Sequence, residues 1–255
     1  MTKTWICCFF LLSASAVAAQ WQKIDTDRPD QTESAVLVPK NYFQGEFGFN
    51  KENTSYRNYT LLHPAALLKY GFKKFELRLE TTCLSTYELS IPDPKRTTGI
   101  VPVEIGCKAA LWEEKKFLPK TSLIVHIAIP AFASPSFQSD KPAPSFRFTM
   151  QHTINTVFGI GSNAGAEWDG FSTAPIWLYT FSPNFNLGEK WYAYIEVFGF
   201  IQKDNFPQHS LDGGIAYYIS PDVKIDLSAG VGLNTATPQN YAALGFSFRV
   251  NTKRQ

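Results

Sequence analysis

The sequence predicts an all-β protein: a transmembrane, antiparallel, up-and-down β-barrel of about twelve strands, preceded by an arm that can reach into its lumen. Three observations point there. An export leader stands at the N-terminus, apolar and polar residues alternate in short segments from 42 to 250, and the connections between segments are in turn long and tight.

The leader comes first. Lys3 supplies a positive start, the stretch from Trp5 to Val17 is apolar, and Ala16-Val17-Ala18 is a small-x-small cleavage site, so residues 1–19 read as a signal peptide. The apolar run is shorter than the roughly 20 residues of a membrane helix. Residues 20–41 form an arm, 42–250 the barrel and 251–255 a tail. The first strand, 42–50, sets Phe43, Gly45, Phe47 and Phe49 on one face and Gln44, Glu46, Gly48 and Asn50 on the other. The third is the cleanest: Phe75, Leu77, Leu79 and Thr81 alternate with Glu76, Arg78 and Glu80. The remaining strands fall at 59–70, 99–111, 120–131, 145–154, 156–168, 174–185, 190–202, 209–220, 223–234 and 240–250.

Long connections at 51–58, 87–98, 132–144, 202–208 and 235–239 alternate with tight ones at 71–74, 153–155, 186–189 and 220–222. A periplasmic N-terminus puts the long ones outside and the tight ones inside. The connections at 113–119 and 169–173 fit this alternation less well. Aromatic residues make up 15% of the chain and gather near strand ends, among them Tyr70, Trp112, Trp191, Tyr192, Tyr217 and Tyr218, as girdles at the membrane interfaces require.

Carrying the alternation through every strand yields a lumen set of mixed sign: Glu46, Lys69, Glu76, Arg78, Glu80, Glu104, Lys108, Arg147, Glu167, Asp212, Lys224, Asp226 and Arg249. An Arg or Lys facing lipid at the midplane costs roughly 2 to 4 kcal/mol, so the lumen is where they belong. Such a wall can select small polar solutes, or its charges can pair and fill the interior. The arm packs Asp27, Asp30 and Glu33 around Arg28 and is long enough to reach well into the lumen. It can fold inward as a plug or constriction, or hang in the periplasm as a tail. Cys83 and Cys107 fall on one apolar face across a hairpin centred near 95, so they can form a cross-strand disulfide or stay two lipid-facing thiols.

Composition removes several classes. The 24 Lys and Arg, Lys3 of the leader among them, nearly balance 22 Asp and Glu, and no basic run suits nucleic acid. The four histidines, His63, His126, His152 and His209, lie in no serine-nucleophile motif, and Ser122 and His126 are too far apart along a strand for ready proton transfer. No metal-ligand spacing and no phosphate loop occurs, so neither metal nor cofactor is expected, and Gly159-Ile160-Gly161 reads as strand glycine facing a crowded lumen.

The run Thr26-Asp27-Arg28-Pro29-Asp30-Gln31-Thr32-Glu33-Ser34 before a Gly/Phe strand, with Gly165-Ala166-Glu167-Trp168-Asp169-Gly170, resembles the MetA-pathway of phenol degradation family of bacterial outer-membrane proteins. The similarity extends over nearly the whole mature chain, and the run from Thr26 to Ser34 is its most specific part. It implies an outer-membrane barrel that passes small compounds, aromatic ones included, and brings no catalytic residues with it. The expectation is therefore a monomeric channel or passive transporter in the bacterial outer membrane, with lipid and a small solute as partners. A structural or adhesive surface barrel is the alternative, and a barrel lipid hydrolase a more distant one.

Overall fold

The computed structural model describes residues 23–253; the leader, residues 20–22 of the arm and the last two residues of the tail lie outside that range. The strands are β1 (Tyr42–Ser55), β2 (Asn58–Gly71), β3 (Phe75–Glu88), β4 (Lys95–Ile100), β5 (Val103–Trp112), β6 (Lys120–Ile129), β7 (Ala143–Thr153), β8 (Phe158–Glu167), β9 (Ile176–Leu187), β10 (Trp191–Gln202), β11 (Gln208–Ser220), β12 (Val223–Gly232) and β13 (Asn240–Asn251). All neighbours are antiparallel, and β1 pairs with β13 from Tyr42↔Asn251 to Asn53↔Asn240, which closes the barrel. The β4 and β5 strands are two halves of one stave. Both pair with β3, β4 on its outward half from Cys83 to Glu88 and β5 on its inward half from Phe75 to Glu80. Between them Pro102 has no N–H to give the ladder, so the segment read as one strand over 99–111 breaks there. Twelve staves result.

The outward strand ends run further than alternation suggested. β1 continues through residues 51–55 and turns at Tyr56-Arg57, with Arg57 at φ 65, and β3 continues to Glu88, so the third loop shrinks to 89–94. Lys51, Glu52, Asn53, Thr54 and Ser55 are polar on both faces, so the ladder persists where the hydrophobic signal stops. This shortening also moves the hairpin centre and corrects the disulfide reading. Cys83 stands opposite Ile100 and Cys107 opposite Leu77, six residues apart along β3, or about 20 Å at 3.3 Å per residue. Both thiols are free.

The packing is inverted relative to a soluble protein. Leu77, Leu79, Ile105, Ile195, Leu227 and Phe246 are exposed on the outer surface, whereas Glu46, Glu76, Arg78 and Lys108 are at most 2% exposed within. An apolar belt of this extent would be unfavourable in water at roughly 25 cal/mol per Å², and lipid removes that cost. The molecule is a membrane-spanning barrel of the bacterial outer-membrane kind. Trp112, Trp191 and Tyr217 lie on the outside near the inner turns, as girdle residues should. Tyr192 and Tyr218, adjacent in sequence to two of these rings, point the other way and line an inner cavity.

Candidate functional site: a lumen crossed by the N-terminal arm

The arm lies inside the barrel and makes a loop. It enters beside the β11–β12 turn, where the Ile24 amide donates to the Pro221 carbonyl at 2.7 Å. It rises along β1 and β12, where the Gln44 amide group donates to the Asp25 carbonyl (2.7 Å) and Lys224 Nζ to the Arg28 carbonyl (2.6 Å) and to Thr26. At mid-depth it crosses to β8, β9 and β10. The Gln31 amide donates to Glu196 (2.7 Å), Thr32 bonds Glu196 and Thr180, Ser182 donates to Asp30 (3.1 Å), and Asn163 exchanges two bonds with the Glu33 backbone at 2.7 and 3.0 Å. It then descends past β6 and β3. Ser122 Oγ donates to the Ala35 carbonyl (2.7 Å) and the Val38 amide to Glu76 (2.6 Å), before a turn at Pro39 starts β1.

Charge holds the apex. Asp27 receives Lys69 Nζ at 2.8 Å, Arg78 Nη1 at 2.9 Å and Lys108 Nζ at 3.0 Å, three cations on three adjacent staves. Burial works to raise this carboxyl, but Lys108, Lys69 and Arg78 outweigh it and hold it well below the usual range. Glu33 takes the other nitrogen of Arg78 (2.6 Å) and Arg147 (3.2 Å), which lower its carboxyl against the opposing effect of burial. Arg28 points to the opposite wall and pairs with Asp226 at 3.1 Å. Its guanidinium lies against Gly48 and Gly245, direct partners across β1 and β13. A Cβ on Gly48 would stand 2.1 Å from Arg28 Nη1 and one on Gly245 2.4 Å from Nε, so a side chain at either position would displace the Arg28 guanidinium from where it lies.

The lumen is thereby split. A cavity of about 310 Å³ lies outward of the arm, lined among others by Arg28, Glu33, Glu80, Glu104, His126 and Glu167. A smaller one of about 70 Å³ lies inward, lined by Asp25, Thr26, Gln151, Tyr192, Tyr218 and Lys224. The arm is the floor of one and the roof of the other.

The structure brings Glu46, Lys69, Glu76, Arg78, Lys108, Arg147, Lys224 and Asp226 to the arm residues Asp27, Arg28, Asp30 and Glu33 or to their direct partners. Others stand apart. Glu80 and Glu104 face each other one step outward, with His126 between Arg78 (3.1 Å) and Glu104 (3.6 Å). Glu167 is at the outer rim, Asp212 is held by Tyr194 and Tyr241, and Arg249 bonds Asp222 at the β11–β12 turn. Among the described residues no Lys or Arg pairs with Glu80, Glu104 or Glu167. Ser122 bonds the arm and His126 bonds Arg78, so these two do not form a nucleophile–base pair.

Sequence reading missed Glu196, the arm's main partner on the far wall. On β10 it shares the lumen face with Tyr192, Tyr194, Phe198 and Phe200, while Ile195 and Val197 face lipid, so both faces look apolar and the phase is hidden. Glu196 itself was the usable signal, as the one charge within the strand. Asn163, Thr180 and Ser182 carry no charge and left no comparable mark.

A closed barrel with a lipid-facing exterior, a charged lumen and its own chain crossing that lumen defines an outer-membrane β-barrel with an internal arm. Residues 26–250 match the family described as "Putative MetA-pathway of phenol degradation", and the chain belongs to that family. The match begins at Thr26 and so includes the arm. Among solved structures, the COG4313 outer membrane channel from Pseudomonas putida F1 is similar at 10% identity and TM-score 0.68, over 88% of this chain and 99% of the other. The NanC porin is similar at 8% identity and TM-score 0.55, over 82% and 100% of the two chains. The KdgM porin follows at 8% and 0.54, over 80% and 98%. No curated protein sequence matches significantly.

Proposed function

We propose that the protein is an outer-membrane channel for small solutes whose lumen is constricted at mid-depth by its own N-terminal arm. The observation that carries this is the arm's course across the lumen, with a cavity on either side and bonds to β1, β3, β6, β8, β9, β10 and β12. The barrel works as a monomer and uses no cofactor; its charged side chains are engaged in ion pairs and in holding the arm, a task of sorting rather than of bond-making. Similarity in fold to channels and porins supports the reading. Proteoliposome swelling in a small sugar tests it. The full mature chain is expected to swell liposomes slowly and a chain lacking residues 20–35 several-fold faster. A barrel with a purely structural or adhesive role would give no swelling with either chain.

A further inference from the structure

The cations that hold the arm apex form a built site, and its own charges do not complete it. Lys69, Arg78, Lys108 and Arg147 project from β2, β3, β5 and β7 into one region of the lumen, the first three at most 3% exposed. Two wall carboxylates pair directly with these four cations, Glu46 with Lys69, and Glu76 with Arg78 and Lys108, while Glu80, Glu104 and Glu167 line the cavity further out. The arm supplies the other two carboxylates that bond these cations, Asp27 on Lys69, Arg78 and Lys108, and Glu33 on Arg78 and Arg147. Buried cations left without counter-ions are strongly unfavourable. When the arm leaves, the two carboxylate places it filled on these cations therefore favour negative charge from elsewhere.

The geometry points to a carboxylate-binding site on the wall, which the arm occupies as an internal mimic of an acidic solute: we propose that the channel's preferred solutes are small dicarboxylates that take the places of Asp27 and Glu33. Arg78 fixes the spacing. Its Nη1 bonds Asp27 at 2.9 Å and its Nη2 bonds Glu33 at 2.6 Å, so two carboxylates sit side by side on one guanidinium, as the ends of a short dicarboxylate would. Lys108 also donates to the Ser34 carbonyl at 2.9 Å and Arg147 to the Gln31 carbonyl at 3.1 Å, donors that a solute oxygen can use once the arm is gone. Glu80 and Glu104, one step outward, form no ion pair with these cations and leave the site open.

The inference rests on the reading of the arm as a removable constriction, and a binding measurement separates the two. In the full chain carrying D27N and E33Q the arm no longer neutralises the wall. Thermal unfolding of this purified variant in detergent is followed against succinate, with succinamide and chloride at matched ionic strength as controls. Succinate is expected to raise Tm by a constant step for each tenfold increase above its Kd, as a ligand of the native state does. Succinamide and chloride do not, the unsubstituted chain responds little, and K108Q added to the variant removes most of the shift. If the double variant does not assemble, D27N alone serves, with a smaller shift expected. Equal effects of succinate and succinamide, or a shift that survives K108Q, overturn the inference. Because Tm does not depend on passage, absence of swelling with both chains would count against the channel and leave this result standing.

Discussion

Asp27 is the residue on which the arm's seat turns. A single carboxylate with three cations around it cannot be lost cheaply: removing one partner of a buried pair costs about 3 to 5 kcal/mol, because the charges left behind are uncompensated. Its titration, with that of its neighbours, gives a pH dependence. Asp27 and Glu33 are held below their free values, so the stability they give the seat is complete above about pH 4 and is lost as pH falls through the lowered values. Asp30 behaves oppositely. Burial pushes its carboxyl up to about 7, against the pull of Lys224, so seating it becomes more favourable as pH falls from 7 towards its free value. Conductance of the full chain is therefore expected to be lowest between about pH 4 and 6 and to rise on either side, as bilayer recordings over pH 3 to 8 would show. In D27N the rise on the acid side should be smaller, since one of the two groups that drive it is gone and Glu33 remains.

At the scale of the element, the strands and the arm were legible to different degrees. Alternation located all twelve staves because every lipid-facing position must be apolar, and β3, with Glu76, Arg78 and Glu80 set between Phe75, Leu77 and Leu79, shows the pattern without interruption. It failed at the strand ends, where Lys51 to Ser55 are polar on both faces, and at Pro102, where a backbone property unrelated to hydrophobicity breaks a stave. The arm carries no periodicity. Its sequence left plug and tail equally open, because what places it is complementarity to residues far away in the chain, Lys69, Lys108, Glu196 and Asp226 among them. The Gly48–Gly245 pair shows how the wall was shaped to fit. G48V would put side-chain atoms where the Arg28 guanidinium lies, on a strand whose ladder is otherwise unchanged. The expected result is a barrel that keeps its heat-modifiable migration on SDS gels but whose arm becomes cleavable by added protease. A protected arm in G48V would show that the contact is not needed.

The whole molecule is an inverted protein whose interior is charged and whose lumen cations are gathered mostly on one side. Lys69, Arg78, Lys108 and Arg147 stand on the staves from β2 to β7 beside Glu76, Glu80 and Glu104, whereas the staves from β10 to β12 carry Glu196, Asp212 and Asp226 with the single cation Lys224. The arm matches this arrangement: Asp27 and Glu33 turn to the cluster of cations and Arg28 to Asp226 on the opposite wall. The mixed signs of this short segment, which is also the most specific part of the family resemblance, are those of a part shaped to its own lumen. The most direct test of that account is single-channel conductance in planar bilayers, comparing the full mature chain with one lacking residues 20–35. A several-fold larger conductance for the shortened chain is the predicted result, and equal conductances would contradict the claim that the arm closes the channel.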